Sequence, residues 1–200
     1  MGVLFAPDPS VLGLYTIGVT SGSIAATLAA ASPLFSFRWG NTANLCVIDH
    51  LSVAVSVDGV ITTSVSMPLE LVIARSFTAS DSGGTAITLS TNNAKYRTSF
   101  QTSLVTSARI ATTGTLTAGT RTLDAQAEAV VPCVTGTAIG VPLPFSELSV
   151  LYKRTQLFPI VFTQDEGFII RNQSAGPATG TFQVHVQMRW FESVKELVII

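Results

Sequence analysis

The stretch FQVHVQMRW, residues 182–190, alternates large apolar side chains with polar or charged ones at every step. Successive side chains of a β-strand point to opposite faces, so this period of two predicts a strand with one buried and one outer face. The side chains expected to face inward are those of Phe182, Val184, Val186, Met188 and Trp190. Those expected to face outward are Gln183, His185, Gln187 and Arg189.

A second stretch, LSVAVSV (51–57), shows the same alternation. The side chains expected to face inward are those of Leu51, Val53, Val55 and Val57. Asp58-Gly59 follows, and the β-prone run VITTSVSM (60–67) comes next. Because Asp-Gly favours a tight turn between two strands, the two runs are predicted to form a hairpin.

Other stretches are rich in β-branched and aromatic residues, and clusters of Gly, Ser, Thr and Asn separate them. The further predicted strands are Leu12–Val19, Leu34–Trp39, Leu69–Phe77, Leu123–Val131, Leu157–Thr163 and Gly167–Arg171. Many short strands divided by turns predict an all-β antiparallel sandwich, with residues 1–200 forming one domain. Residues 92–104 are the one plausible helix, and their weak amphipathicity leaves helix and coil equally open.

The composition is low in charge: charged residues make up 12% of the chain and hydrophobic residues 47%. Globular domains carry about 25% charged residues, so the surface is expected to be uncharged and covered by other subunits. The net charge of −1, without a basic cluster, argues against a nucleic-acid partner. The uncharged stretch 9–37 is broken by Gly, Ser and Pro, which argues against a membrane span. We find no basic secretion signal and expect assembly in a cytoplasm.

The two cysteines, Cys46 and Cys133, lie far apart in apolar or turn-like contexts. Buried free thiols are the favoured interpretation, because an isolated cysteine behaves as a small hydrophobic residue. A single disulfide between them remains open. No CxxC motif occurs and no histidine lies close to either cysteine, so a zinc site is not expected.

The run Asp81–Gly84 reads DSGG, as around the nucleophilic serine of chymotrypsin-like proteases, and His50 and Asp58 precede it in the matching order. In such proteases the histidine and the serine belong to different β-barrels. Too few residues separate His50 from Ser82 to build the first barrel, and the residues flanking DSGG also differ from the protease motif. The motif is therefore predicted to be a turn.

No other residues in the sequence form a recognisable catalytic or metal-binding motif. His185 is expected on an outer strand face, and Asp165-Glu166 is predicted to be a polar turn rather than a metal site. No phosphate-binding glycine motif occurs, and the scattered carboxylates suggest no glycosidase pair. We expect no catalytic residues, no cofactor, no metal and no small-molecule substrate.

The two ends of the sequence, 1–12 and 193–200, are unusually apolar and are predicted to be extended arms. Residues 197–200 either pair as an edge strand within their own domain or dock on a neighbouring subunit, and the low surface charge favours docking. The predicted interface residues are Val3, Leu4, Phe5, Leu197, Val198, Ile199 and Ile200.

Four segments together resemble virion structural proteins of tailed bacteriophages, specifically capsid cement or decoration proteins. They are SPLFSFRWG (32–40), RSFTASDSGGTAITLSTNNAKYRTSF (75–100), SARIATTGTLTAGTRTLDAQ (107–126) and FPIVFTQDEGFIIRNQSAGPATGTFQVHVQMRWFE (158–192). The resemblance covers most of the chain beyond residue 30 and leaves the ends largely uncovered.

The resemblance implies a jelly-roll-like sandwich that assembles as a homotrimer on the capsid surface and binds the major capsid protein. It also implies that terminal arms reach a neighbour or the shell. A second hypothesis is a tail, spike or receptor-binding module that recognises a host glycan, for which NAKYRT (93–98) is the single candidate site. A third is a virion-associated hydrolase.

Overall fold

The computed structural model describes residues 11–89, 94–136, 149–154 and 159–195, and these fold into β-strands joined by turns and loops. All strand pairs are antiparallel. The strands are β1 (Val11–Thr20), β2 (Ile24–Ala25), β3 (Pro33–Trp39), β4 (Asn44–Val57), β5 (Val65–Ser66), β6 (Leu69–Arg75), β7 (Thr85–Ala86), β8 (Ser107–Ile110), β9 (Thr122–Leu123), β10 (Ala129–Val131), β11 (Val134–Thr135), β12 (Ser149–Lys153), β13 (Val161–Phe162), β14 (Glu166–Asn172) and β15 (Thr181–Val194).

The first sheet has the order β1-β15-β4-β12, with β13 also paired to β4 and β2 to β15. Its centre is the pair of long strands β15 and β4, in which Val184 lies opposite Val55 and Val186 opposite Val53. The inward residues predicted from the alternation of 182–190 are all buried. The alternation therefore determines which face of this sheet is apolar, as expected for a sheet with one covered face.

The second sheet has the order β10-β6-β14-β3-β8-β7, with β9 paired to β6, and a separate small pair joins β11 to β5. Strand β14 lies between β6 and β3, so both of its edges are hydrogen-bonded. On the face turned to the first sheet, Phe168 stacks on Phe37 with ring centroids 5.4 Å apart. Aromatic pairs of this kind add roughly 1 kcal/mol beyond the area that they bury.

The two sheets pack face to face around one hydrophobic core. Trp190 of the first sheet meets Phe37 of the second edge-on, with ring centroids 5.6 Å apart, and Tyr15 stacks on Trp190 at 5.5 Å. The predicted all-β antiparallel sandwich is confirmed. The jelly-roll topology stays a prediction.

The predicted hairpin at Asp58-Gly59 is wrong. The amides of both residues donate to the carbonyl of Thr181, at 3.2 and 3.1 Å, so the chain after β4 lies against the start of β15. A Cβ on Gly59 would lie 2.2 Å from Thr181 Oγ1, which explains the glycine by close approach rather than by hairpin geometry. Strand β4 is already paired on both edges, and β5 pairs with β11 instead.

No helix forms in residues 94–104, the described part of the segment for which helix and coil were left open. This segment instead runs along β1: the amide of Thr16 donates to the carbonyl of Ala94 at 2.8 Å, and that of Tyr96 to the carbonyl of Leu14 at 2.9 Å. An unpaired edge strand exposes backbone donors and acceptors. Pairing with β1 satisfies these groups. The weak amphipathicity of residues 94–104, which would favour a helix, does not outweigh that gain.

Most other strand predictions hold with shifted ends. The predicted single strand 123–131 does not: it is two short strands, β9 and β10, which both pair with β6. Of the predicted strand 157–163, the described part contains β13. Residues 11–12 and 193–194, assigned to the arms, belong to β1 and β15.

In the parts of the chain that the structure describes, no helix is long and apolar enough to cross a membrane.

Candidate functional site

The DSGG run is a structural turn of the second sheet. The side chain of Asp81 is fully buried, accepts a hydrogen bond from the amide of Gly119 at 2.8 Å and forms an ion pair with Arg121. The backbone of Ser82 exchanges two hydrogen bonds with that of Thr117, at 2.9 and 3.0 Å. Gly83 and Gly84 have φ of 72° and 54°, a region that glycine adopts without strain. The predicted turn is confirmed, and its carboxylate holds a loop in place.

The protease-like residues do not come together. His50 lies in the middle of β4 in the first sheet. Asp58 accepts a hydrogen bond from the hydroxyl of Ser23. Ser82 pairs with Thr117 at the end of the second sheet, so the three groups have separate partners. A serine nucleophile needs a hydrogen-bonded base that a carboxylate orients, and these residues do not supply that arrangement.

Asp165 and Glu166 also have structural partners. Asp165, with φ of 58°, forms an ion pair with Arg38 at 3.1 Å, and Glu166 pairs with Arg75 at 2.7 Å. Glu166 also accepts from the amide of Thr163 at 2.8 Å, closing the turn before β14. The predicted polar turn is confirmed. Among the described residues, no group of three or more His, Cys, Asp or Glu side chains could hold a metal ion.

Both cysteines are free thiols. Cys46 is fully buried, and burial together with the nearby Glu192 raises the pKa of its thiol well above the usual value. Cys133 is half-buried, and burial raises the pKa of its thiol too. Because the thiolate is the reactive form, a raised pKa lowers the reactive fraction of both thiols at neutral pH.

A buried carboxylate, Glu192 on β15, fixes the loop that follows residue 96. Its oxygens accept hydrogen bonds from Ser103 Oγ at 2.7 Å, from the amide of Leu104 at 3.0 Å and from Trp190 Nε1 at 3.2 Å. Burial raises the pKa of Glu192, and these hydrogen bonds oppose the increase. Tyr15 lies beside it and has a pKa raised by burial and by the Glu192 charge. Sequence reasoning missed this anchor, because Glu192 is one polar residue at the end of an apolar strand.

An open pocket of about 400 Å³ lies on the outer face of the first sheet. A row of directly opposite residues crosses its floor, from Lys153 on β12 to His50 on β4, Arg189 on β15 and Thr16 on β1. Directly opposite residues in antiparallel strands have Cβ atoms about 5 Å apart. The exposed ring of Tyr96, from the segment paired to β1, lines the same pocket.

Two cationic side chains, those of Lys153 and Arg189, line the pocket. Asp49 is displaced from the row by a β-bulge and pairs with Arg189 and with Arg154, the latter at 3.5 Å. Burial, Arg189 and Lys153 lower the pKa of His50, while Asp49 partly opposes them. The arrangement can hold an anionic group between Lys153 and Arg189.

Sequence reasoning gave a binding role to one residue of this pocket, Tyr96 within NAKYRT, and considered His50 only in the rejected protease arrangement. It placed Arg189 on an outer face without a role and gave none to Lys153. The row is formed by strands that are distant in the sequence. No local motif signals it.

The predicted interface residues of the arms, Val3, Leu4, Phe5, Leu197, Val198, Ile199 and Ile200, lie outside the described residues. The strands to which the two arms connect are described, and they are neighbours. Val11, the first residue of β1, lies opposite Ser193, near the end of β15. The segments 1–10 and 196–200 therefore connect to the same corner of the sandwich.

Exposed valines lie on short strands at the sheet edges. Val130 on β10 and Val150 on β12 are about half exposed, at 47% and 54%, and Val134 on β11 is 45% exposed. Strand β10 is the edge of the second sheet, β12 is the edge of the first, and the two adjoin. Val130 and Val150 therefore place exposed apolar side chains on two adjoining sheet edges.

No protein-family model, curated protein or solved structure matches this chain.

Proposed function

We propose that this chain is a non-enzymatic structural subunit of a tailed-bacteriophage virion, a cement or decoration protein that binds the major capsid protein and stabilises the head. The resemblance of residues 32–40, 75–100, 107–126 and 158–192 to such proteins motivates the proposal. In it, the sandwich has a jelly-roll-like topology, forms a homotrimer on the capsid surface and assembles in the host cytoplasm.

The observation that carries the proposal is the pairing of Val11 with Ser193. It joins two apolar segments, 1–10 and 196–200, to one corner of a folded domain. Two apolar segments that leave one corner can engage one site on a partner together. Linking two contacts in this way raises the effective concentration of the second, so the pair binds more tightly than either segment alone.

The chemistry of these segments suits a protein partner. Residues 197–200 read LVII and residues 3–5 read VLF, and such residues have high β-propensity. An extended segment can add a strand to the exposed sheet edge of a partner, where main-chain hydrogen bonds give affinity and apolar pockets give specificity. In the proposal, Val3, Leu4, Phe5, Leu197, Val198, Ile199 and Ile200 make these contacts with the major capsid protein.

Contacts between copies of the chain need a second surface. The exposed Val130, Val134 and Val150 supply apolar side chains along adjoining sheet edges. Stable subunit interfaces have apolar centres with polar rims. We assign this edge to the trimer contact and leave the corner of the arms for the capsid.

The experiment is a binding assay on heads assembled without this chain. Variants lacking residues 1–10, residues 195–200, or both are mixed with the heads and separated by sedimentation, and their folding is checked by NMR. Val60→Ser is the matched control, because Val60 is 62% exposed and lies outside both surfaces. The proposal expects binding by the control and weakened binding by each folded deletion variant. Unchanged binding by the double deletion would contradict the role of the arms.

A further inference from the structure

The pocket on the outer face of the first sheet has a surplus of positive charge. Lys153 and Arg189 line it, and the carboxylate of Asp49 pairs with Arg189 and with Arg154, which does not line the pocket. No salt bridge to Lys153 occurs among the described residues. Lys153 and Arg189 lie on either side of β4, so an anion bound between them can contact both cations.

The row has room for such an anion. Lys153 and Arg189 are both opposite His50, so they lie two strands apart on the same face. Neighbouring strands are about 4.8 Å apart, so the two cations are separated by about 10 Å at the backbone. Long side chains from both sides can reach a carboxylate placed above the imidazole of His50. A charge-assisted hydrogen bond is roughly twice as strong as a neutral one.

Tyr96 adds an apolar wall. Its side chain is 61% exposed, while its backbone is fixed by the hydrogen bond from its amide to the carbonyl of Leu14. The buried Glu192 holds the same loop further along, at Leu104. An exposed aromatic ring on an anchored backbone loses little entropy when a ligand packs on it.

Polar groups complete the pocket. Gln187 lies on the same outer face, with an amide that can both donate and accept. The hydroxyl of Thr16 donates to the carbonyl of Met188 at 3.2 Å, so its oxygen is left to accept from a ligand hydroxyl. A pocket with one aromatic wall, several hydrogen-bonding groups and cations at one side matches a sugar ring that bears an acidic group. Its volume of about 400 Å³ lies within the usual range for small-ligand sites.

We propose that this pocket binds a saccharide that carries a carboxylate, with Tyr96 packing against the sugar ring and Lys153 and Arg189 holding the carboxylate. A small acidic ligand suits the site better than a polyanion such as a nucleic acid, which requires a strongly basic protein, because the chain has a net charge of −1. The site is separate from the arms, so it stands whether or not the chain binds a capsid.

The first test compares matched ligands by NMR titration of the full chain. Sialyllactose and digalacturonic acid are the acidic probes, lactose is the neutral probe and sodium acetate is the anion without a sugar. We expect at least one acidic saccharide to bind more tightly than both lactose and acetate, with shifts at His50, Tyr96 and Gln187. No binding by either acidic saccharide, or equal binding by lactose or by acetate, would overturn the proposal.

The second test uses variants with the acidic saccharide that binds. Lys153→Met removes one charge-assisted contact and should weaken binding about tenfold. Its affinity for lactose should not change. Tyr96→Ala should weaken binding of both the acidic saccharide and lactose, because the ring packs against the sugar.

Lys195→Met is the matched control. It removes an exposed lysine that directly follows β15 and does not line the pocket, and it should bind as the unmodified chain does. Equal losses of affinity in Lys153→Met and Lys195→Met would show that only the overall charge of the protein matters, and would overturn the proposed site. Unfolding curves are recorded for all variants. They should coincide, because these side chains are exposed or half-buried, and this would exclude loss of the fold as the cause of weaker binding.

Discussion

Replacing Asp81 by alanine tests whether the DSGG run has a structural role. The carboxylate of Asp81 is fully buried, and the side chain of its partner Arg121 is 5% exposed. Asp81→Ala removes the negative charge and leaves the guanidinium of Arg121 buried without its counter-ion. It also leaves the amide of Gly119 without the acceptor that it has at 2.8 Å.

The size of the effect follows from this burial. Removing one partner of a buried ion pair costs about 3–5 kcal/mol of unfolding free energy, because the remaining charge stays desolvated. For a domain of about 200 residues, each kcal/mol lowers Tm by roughly 2–4 °C. We therefore expect Asp81→Ala to lower Tm by roughly 6–20 °C.

The assay is thermal and denaturant unfolding, followed by circular dichroism, on four proteins: the unmodified chain, Asp81→Ala, Ser82→Ala and the double variant Asp81→Ala/Arg121→Met. Ser82 is exposed and pairs through its backbone, so its variant should change the free energy by less than about 0.5 kcal/mol. The double variant should recover most of the loss, because it removes the unpaired charge and keeps an apolar side chain over Phe77. Equal stability of Asp81→Ala and Ser82→Ala would refute the reasoning.

Three further predictions concern the sheets and the loop anchor. Glu192→Ala should cost about 1–3 kcal/mol of unfolding free energy, because the groups that donate to Glu192 lose their acceptor. It should also speed amide hydrogen exchange at Leu104, and unchanged exchange there would contradict the role of Glu192 as the anchor of this loop. Gly59→Ala should lower the free energy of unfolding by about 1–3 kcal/mol, because the new Cβ overlaps Thr181. The control Gly114→Ala has open space around the new Cβ and should leave stability unchanged. Equal effects of the two variants in denaturant unfolding would be inconsistent with this. Burial lowers the pKa of His185 below its usual 6.5, so its contribution to stability is complete above pH 6.5 and is lost as pH falls through 6.5 towards the folded-state pKa. His185→Gln should therefore lose less stability on acidification than the unmodified chain, and parallel pH profiles would disprove it.

The sequence predicts the sandwich well where a single strand shows alternating apolar and polar residues. In 182–190 and 51–57 every second residue is apolar, and the structure buries all of these residues. The alternation is local, so it can be read from one strand without knowing its neighbours. This is why fold class and inward face were predictable.

Prediction failed where a distant partner decides the structure. Asp58-Gly59 favours a hairpin locally, but the long strand β15 occupies one edge of β4, and the two residues bond to Thr181. Residues 94–96 pair with β1, which no local signal in that segment reveals. Tertiary pairing of this kind outweighs local preference.

The candidate pocket was unpredictable for the same reason. Lys153, His50, Arg189 and Thr16 become neighbours through the strand order β12-β4-β15-β1, which alternation does not specify. Tyr96 was the one member that composition suggested, as an aromatic residue in a polar segment. A pocket made from single residues of separate strands needs the topology before it can be found.

The measurement that tests the central claim most directly is a cryo-EM reconstruction of the virion that carries this chain. We predict density for the sandwich in symmetric copies across the surface of the head, with the corner formed by Val11 and Ser193 turned towards the major capsid protein. Density for the chain at the tail or at a spike, or no density in the particle, would contradict the account.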